Sequence, residues 1–185
     1  VITTPEPVAP TSGAPGRSPL DEGLRAAVLG AVAGAAGGLA FGAAMADLGS
    51  LPSVATLVRA DSAAVGLVLH MVVAMVIGAG FGLFLAGRPS GVGDTLFWGL
   101  TYGAVWWFLG SLTLLPFFTG RSLAWELDAA QARVPSLLGH LLYGAVAALA
   151  LVALRHRRDP AGGVLRWAAL LRGALAGTLA SVGLA

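Results

Sequence analysis

Four long apolar runs set the pattern of this chain, Leu24–Ala46, Ala63–Ala86, Thr95–Phe118 and Ser136–Leu154, and nearly all charged residues fall between or outside them. A hydrocarbon core of about 30 Å takes about 20 helical residues at 1.5 Å each, and each run reaches that length. Lipid offers the backbone no water to bond, so such a run closes its own hydrogen bonds as a helix. The sequence therefore predicts an all-α fold, a polytopic transmembrane helical bundle of four helices over residues 24–154 plus the start of a fifth. The fifth run, Val164–Ala185, follows a basic cytoplasmic linker at 155–163 and reads as a helix truncated within its span. Its Leu171-Arg172-Gly173-Ala174-Leu175-Ala176-Gly177 shares Leu-Arg, an Ala and a Gly with Leu24-Arg25-Ala26-Ala27-Val28-Leu29-Gly30, as the beginning of a second four-helix unit would.

Composition sharpens this picture. Hydrophobic residues make up 57% of the 185 positions and charged residues 11%, too little polar surface to cover a soluble globule of this size. Residues 1–20 hold five of the ten prolines among Thr, Ser and Gly, and are predicted to form a disordered N-terminal tail. Its sparse charge and the length of the run after it do not suit a secretory signal. The chain has no cysteine, which excludes disulfides, thiolate metal sites and cysteine nucleophiles. The net charge is only +2 and the basic residues are scattered between apolar runs, so nucleic acid is not an expected partner. The lipid bilayer is.

All eleven basic residues are arginines. With the N-terminus inside, Arg17, Arg25, Arg88, Arg155, Arg157, Arg158, Arg166 and Arg172 are cytoplasmic, against Arg59, Arg121 and Arg133 outside. Arg155, Arg157 and Arg158, directly after the fourth run, form the strongest stop. The first run carries Gly30, Gly34, Gly38 and Gly42 at four-residue spacing, and the second offers Ala74, Gly78 and Gly82 in the same register. Association in lipid depends on close van der Waals contact, so these small residues are expected to form packing faces, and the same faces would suit a homo-oligomer or partner membrane helices. Gly99 and Gly103 extend the pattern to the third run. Trp98, Trp125 and Trp167 fall where an interface is expected, while Trp106 and Trp107 lie deeper. In the outer connection 119–135, a short interfacial helix capped by Ser122 is expected to dip Trp125 and Leu127 into the headgroups.

Ionisable side chains within a span are costly and are functional candidates for that reason. Two occur well inside the runs, His70 and His140, at about 6–10 Å below the same, outer end. Their plain reading is one interhelical hydrogen bond each; their functional readings are a proton-linked pair or a pair of ligands to heme b or another metal. No HxxxH or ExxH accompanies either histidine, so no cofactor is predicted and heme b stands only as an alternative. GxSxG, P-loop and HExxH patterns are absent, and Gly78-Ala79-Gly80-Phe81-Gly82 lies within an apolar run where it cannot cradle phosphate, so no enzyme is predicted. Asp47 and Asp61 read as helix-end charges, with Asp61-Ser62 an N-cap.

From residue 95 the chain shows Phe97-Trp98-Gly99-Leu100-Thr101-Tyr102-Gly103-Ala104, then Leu115-Pro116, a Trp-bearing outer connection, Ser136-Leu137-Leu138-Gly139-His140-Leu141-Leu142-Tyr143 and the terminal Arg155-His156-Arg157-Arg158-Asp159. Over residues 95–160 this resembles the YagU-like family of bacterial inner-membrane proteins, with Gly139–Leu141 its most recognisable element. The resemblance implies an inner-membrane protein of unestablished molecular activity associated with acid tolerance and carries over His140; the connection between the first two helices is short here, a departure from the family. The expected function is thus a non-enzymatic multi-pass protein acting through its outward-side histidines, against the alternatives of a redox or metal-binding protein using His70 and His140 and of a transporter built from repeated units.

Overall fold

A computed structural model describes residues 18–88 and 91–156. The first helix, α1, runs Pro19–Asp47; α2 (Leu51–Ala55) and a 3-10 turn, Thr56–Val58, follow in the first connection, and α3 spans Ala63–Phe84. Next, α4 (Val92–Trp106) continues through a π-helical stretch, Trp107–Leu114, into α5 (Leu115–Phe118); α6 (Leu127–Gln131) sits in the second connection and α7 spans Val134–His156. Among the described residues, four helical stretches are long and apolar enough to cross a membrane: Pro19–Asp47, Ala63–Phe84, Val92–Phe118 and Val134–His156. The chain is an all-α bundle of membrane-spanning helices. Arg17, Arg157, Arg158, Arg166, Arg172, Trp167, the fifth run and its repeat of the first lie outside the described residues.

The first helix begins earlier than the expected tail boundary, at Pro19. Ser18 accepts from the Asp21 amide at 3.2 Å and donates to the Asp21 carboxylate at 2.7 Å. Proline in the first turn lacks only an amide that would be unpaired there, and Asp21 and Glu22 complement the positive end of the helix dipole. Ser62 caps α3 as expected, accepting from the Val65 amide. Ser122 does not cap the helix of the second connection: α6 starts only at Leu127, with Glu126 at its N-cap and no side-chain bond there. Trp125 precedes that helix and stacks on Phe108, its indole N–H donating to Thr113 Oγ1 at 3.1 Å.

In space the long helices follow the order α3, α1, α7, α4, because α1 packs along both α3 and α7 while α7 packs along α4. Small residues permit this. A Cβ on Gly30 would lie 2.7 Å from Gly82 Cα, and one on Gly34 would lie 2.7 Å from Gly78 Cα, so the α1 and α3 backbones touch directly. Gly38 meets Ala74 and Met71, and Gly42 meets Leu67 and His70. The faces expected to attract an oligomer or partner helices are therefore occupied within the chain. At the other seam, Gly99 packs on Gly144 and Ala148, and Gly103 on the His140 backbone. By contrast, α3 and α4 meet through aromatic side chains, with Phe81 and Tyr102 centroids 5.1 Å apart and Tyr102 Oη donating to Ile77 O at 3.0 Å. Leu39, Val68, Val76, Phe97 and Leu138 are more than 60% exposed, apolar surface that lipid, not water, is suited to cover.

Candidate functional site

The weak seam between α3 and the α4 region opens, toward the end carrying connections 48–62 and 119–133, into a cleft of about 710 Å³. Pro116 shapes the backbone of one wall. Leu115 N–H bonds Gly110 O, five residues back, and the next residue has no N–H to continue either ladder. Ser111 O and Leu112 O thereby lose the donor that residue 116 would otherwise supply. Arg133 Nη1 donates to Ser111 O at 2.9 Å and the Ala124 amide donates to Leu112 O at 2.9 Å, so the freed carbonyls fasten the second connection back onto the span. Irregular backbone at membrane depth is stable where such partners re-satisfy it. Trp107 also ties this region: its indole N–H donates to Arg133 O at 3.1 Å.

His70 and His140 both line this cleft. His70 Nε2 donates to Gly38 O on α1 at 3.0 Å, a bond that the bare Gly38/Gly42 face makes reachable. His140 Nδ1 donates to Ser136 O at 2.7 Å, one turn back on its own helix. Carbonyls only accept, which assigns the ring hydrogens to these nitrogens in the neutral imidazoles. His140 Nε2 is then the bare nitrogen, 3.8 Å from where a Cβ on Gly110 would sit. A polar strand continues from His140 through Ser136 Oγ at 3.4 Å to Ser111 Oγ, 2.8 Å beyond, on the π-helical stretch.

The sequence set the two imidazoles at one depth, and in the fold they are joined by a third ring. Phe41 of α1 makes edge contacts to both, with centroids 5.2 Å from His70 and 4.9 Å from His140. Phe41 is itself seated on Gly139, where a side chain would collide with its ring. Among the described residues no group of three or more His, Asp or Glu side chains is placed to hold a metal ion. Sequence reasoning missed Phe41, Arg133 and Tyr143. Tyr143 sits on Gly37 and donates from its hydroxyl to Ala74 O at 2.8 Å, pinning α7 to α3 across α1. A tyrosine one turn after Gly139 in an apolar helix was a signal for a buried hydroxyl seeking a carbonyl, but not for which one.

The topology arginines differ in their surroundings. Arg155 donates to Leu85 O at 3.1 Å, closing the end of α3 against α7 opposite the cleft. Among the described residues Arg25, Arg88 and Arg155 lie at that end and Arg59, Arg121 and Arg133 at the other, so the predicted charge asymmetry comes from arginines beyond them. No family model, curated protein or solved structure matches this chain.

Proposed function

We propose that this chain is a non-enzymatic, multi-pass membrane protein whose four-helix unit holds an apolar small molecule in the cleft between α3 and the π-helical stretch. The cleft itself carries this reading. A volume of about 710 Å³ lies within the roughly 300–1,000 Å³ of ordinary ligand sites, and its walls are mainly apolar with a few placed polar groups. The arginine distribution of the full sequence supports an orientation with the N-terminus and the 155–163 linker in the cytoplasm and the cleft facing outward. The likeness of residues 95–160 to YagU-like proteins supports a bacterial inner membrane and a link to acid or stress tolerance. The test is saturable binding of a long-chain alcohol, read by displacement of an environment-sensitive fluorophore from protein in nanodiscs. Gly110→Trp is expected to fill the cleft and abolish binding while leaving the folded helical spectrum intact. Equal binding by wild type and a folded Gly110→Trp overturns the reading.

A proton-linked role for His70 and His140 is favoured by one observation: both rings line the ligand cleft and share Phe41. Among the described residues the other titratable or charged lining groups are Arg121, Arg133 and Tyr143, with no carboxylate, so within this lining a protonated imidazole meets like charge or a neutral phenol. Binding that changes between neutral and acidic pH in wild type, and not in a His70→Gln, His140→Gln double variant, is the expected result.

A further inference from the structure

The cleft is polarised along its length. Its deep part is formed by Phe41, Ala74, Ile77 and Trp106, whereas Ser53, Thr56, Arg121 and Arg133 stand toward the connections. Ile77 lies fourteen residues into α3 from Ala63, or about 20 Å along the axis, so the cleft reaches from the connections past the middle of a hydrocarbon core of about 30 Å. That depth exceeds one leaflet and is about the reach of one long, extended acyl chain.

The charge at the mouth has one sign. Among the described residues, two arginines line the cleft and no Asp or Glu does. Among the described residues neither Arg121 nor Arg133 pairs with a carboxylate, and Arg133 spends one guanidinium nitrogen on Ser111 O, leaving most of its five N–H donors for another acceptor. A planar guanidinium fork suits a carboxylate or phosphate oxyanion and is positioned here by its backbone, since Arg133 O is held by the Trp107 indole.

Building on the apolar-ligand reading above, we infer that the cleft binds a single-chain anionic amphiphile drawn from the bilayer, its acyl chain in the α3/π-helical seam and its oxyanion head on Arg133 and Arg121. A neutral lipid would leave both guanidiniums without an anionic partner at the mouth, and a two-chain lipid would have to leave one chain outside the seam.

The experiment compares palmitate with hexadecanol, equal in chain length, on the full chain in zwitterionic nanodiscs under mildly alkaline conditions where the carboxylate is ionised. Palmitate is expected to bind at least about tenfold more tightly, a difference of about 1.4 kcal/mol, and to lose that advantage as salt is raised. Arg133→Gln is expected to bring palmitate down to the level of hexadecanol in the same variant. Because Arg133 also anchors the second connection, Arg121→Gln, on an exposed side chain, provides the second variant and is expected to lower palmitate affinity several-fold while Arg121→Lys retains it. Equal affinities for the two ligands, or a palmitate preference unchanged in both glutamine variants, overturns the anionic assignment while leaving the apolar cleft standing. Failure of both ligands to bind instead removes the cleft reading itself.

Discussion

Gly34 is where three helices converge: a Cβ there would lie 2.7 Å from Gly78 Cα and 3.1 Å from Tyr143 Oη. The first neighbour is backbone and cannot rotate away, so the α1–α3 seam must widen to admit even a methyl group. Gly34→Ala is expected to destabilise the protein by about 1–3 kcal/mol in detergent, the usual cost of overpacking. Gly23, in the first turns of the same helix, has no neighbouring atom within 4 Å of where a Cβ would sit. There the lower backbone entropy of alanine acts alone, and Gly23→Ala is expected to stabilise by up to about 1 kcal/mol. Thermal unfolding of the two variants in one detergent checks the pair; destabilisation of similar size in both would show that helix propensity, not contact, governs α1. Residue scale also explains why His70 was legible and its role was not. Its depth follows from counting along α3, but its acceptor, Gly38 O, lies 32 positions away.

At the scale of elements, one proline organises the site. The Leu115-Pro116 pair was readable as a feature near the end of a span, yet its consequence lies in Ser111 O and Leu112 O, which the missing amide frees for Arg133 and Ala124. Pro116→Ala supplies the absent N–H. The new amide is expected to compete for these carbonyls, draw the π-helical stretch toward α-helical register and loosen the 119–133 connection. Hydrogen exchange at the Ala124 amide is expected to speed up, whereas exchange in the Gly-packed middle of α1 stays unchanged. An unaltered Ala124 rate would mean that Pro116 does not create the acceptor. Ser122 shows the limit of local signals here: a good capping residue went unused because the connection, fastened through Ala124, delays its helix to Leu127.

For the whole molecule, the alternating direction of the four successive spans places connections 48–62 and 119–133 on one side and Arg88, at the end of α3, on the other. The absence of native cysteine makes this directly testable. Asp61→Cys and Asp128→Cys are expected to react with a membrane-impermeant maleimide added to one face of sealed cells or vesicles, and Arg88→Cys only from the opposite face. Reaction of all three from one side would contradict a four-crossing unit. The spatial order α3, α1, α7, α4 matters equally, since it leaves α3 and the π-helical stretch without the close glycine packing of the α1–α3 and α4–α7 seams, and the cleft lies between them.

The number and length of the spans, the small-residue faces and the common depth of His70 and His140 were all determined by the sequence, because apolar length, residue size and helical rise are local quantities. Tertiary structure alone decided that Phe41 joins the two imidazoles, that Tyr143 reaches Ala74 across 69 positions, and that two arginines stand at the mouth of an apolar cleft. Those facts depend on which helices become neighbours, and in lipid that choice is made by close packing between distant glycines, since every apolar face is equally content against the bilayer.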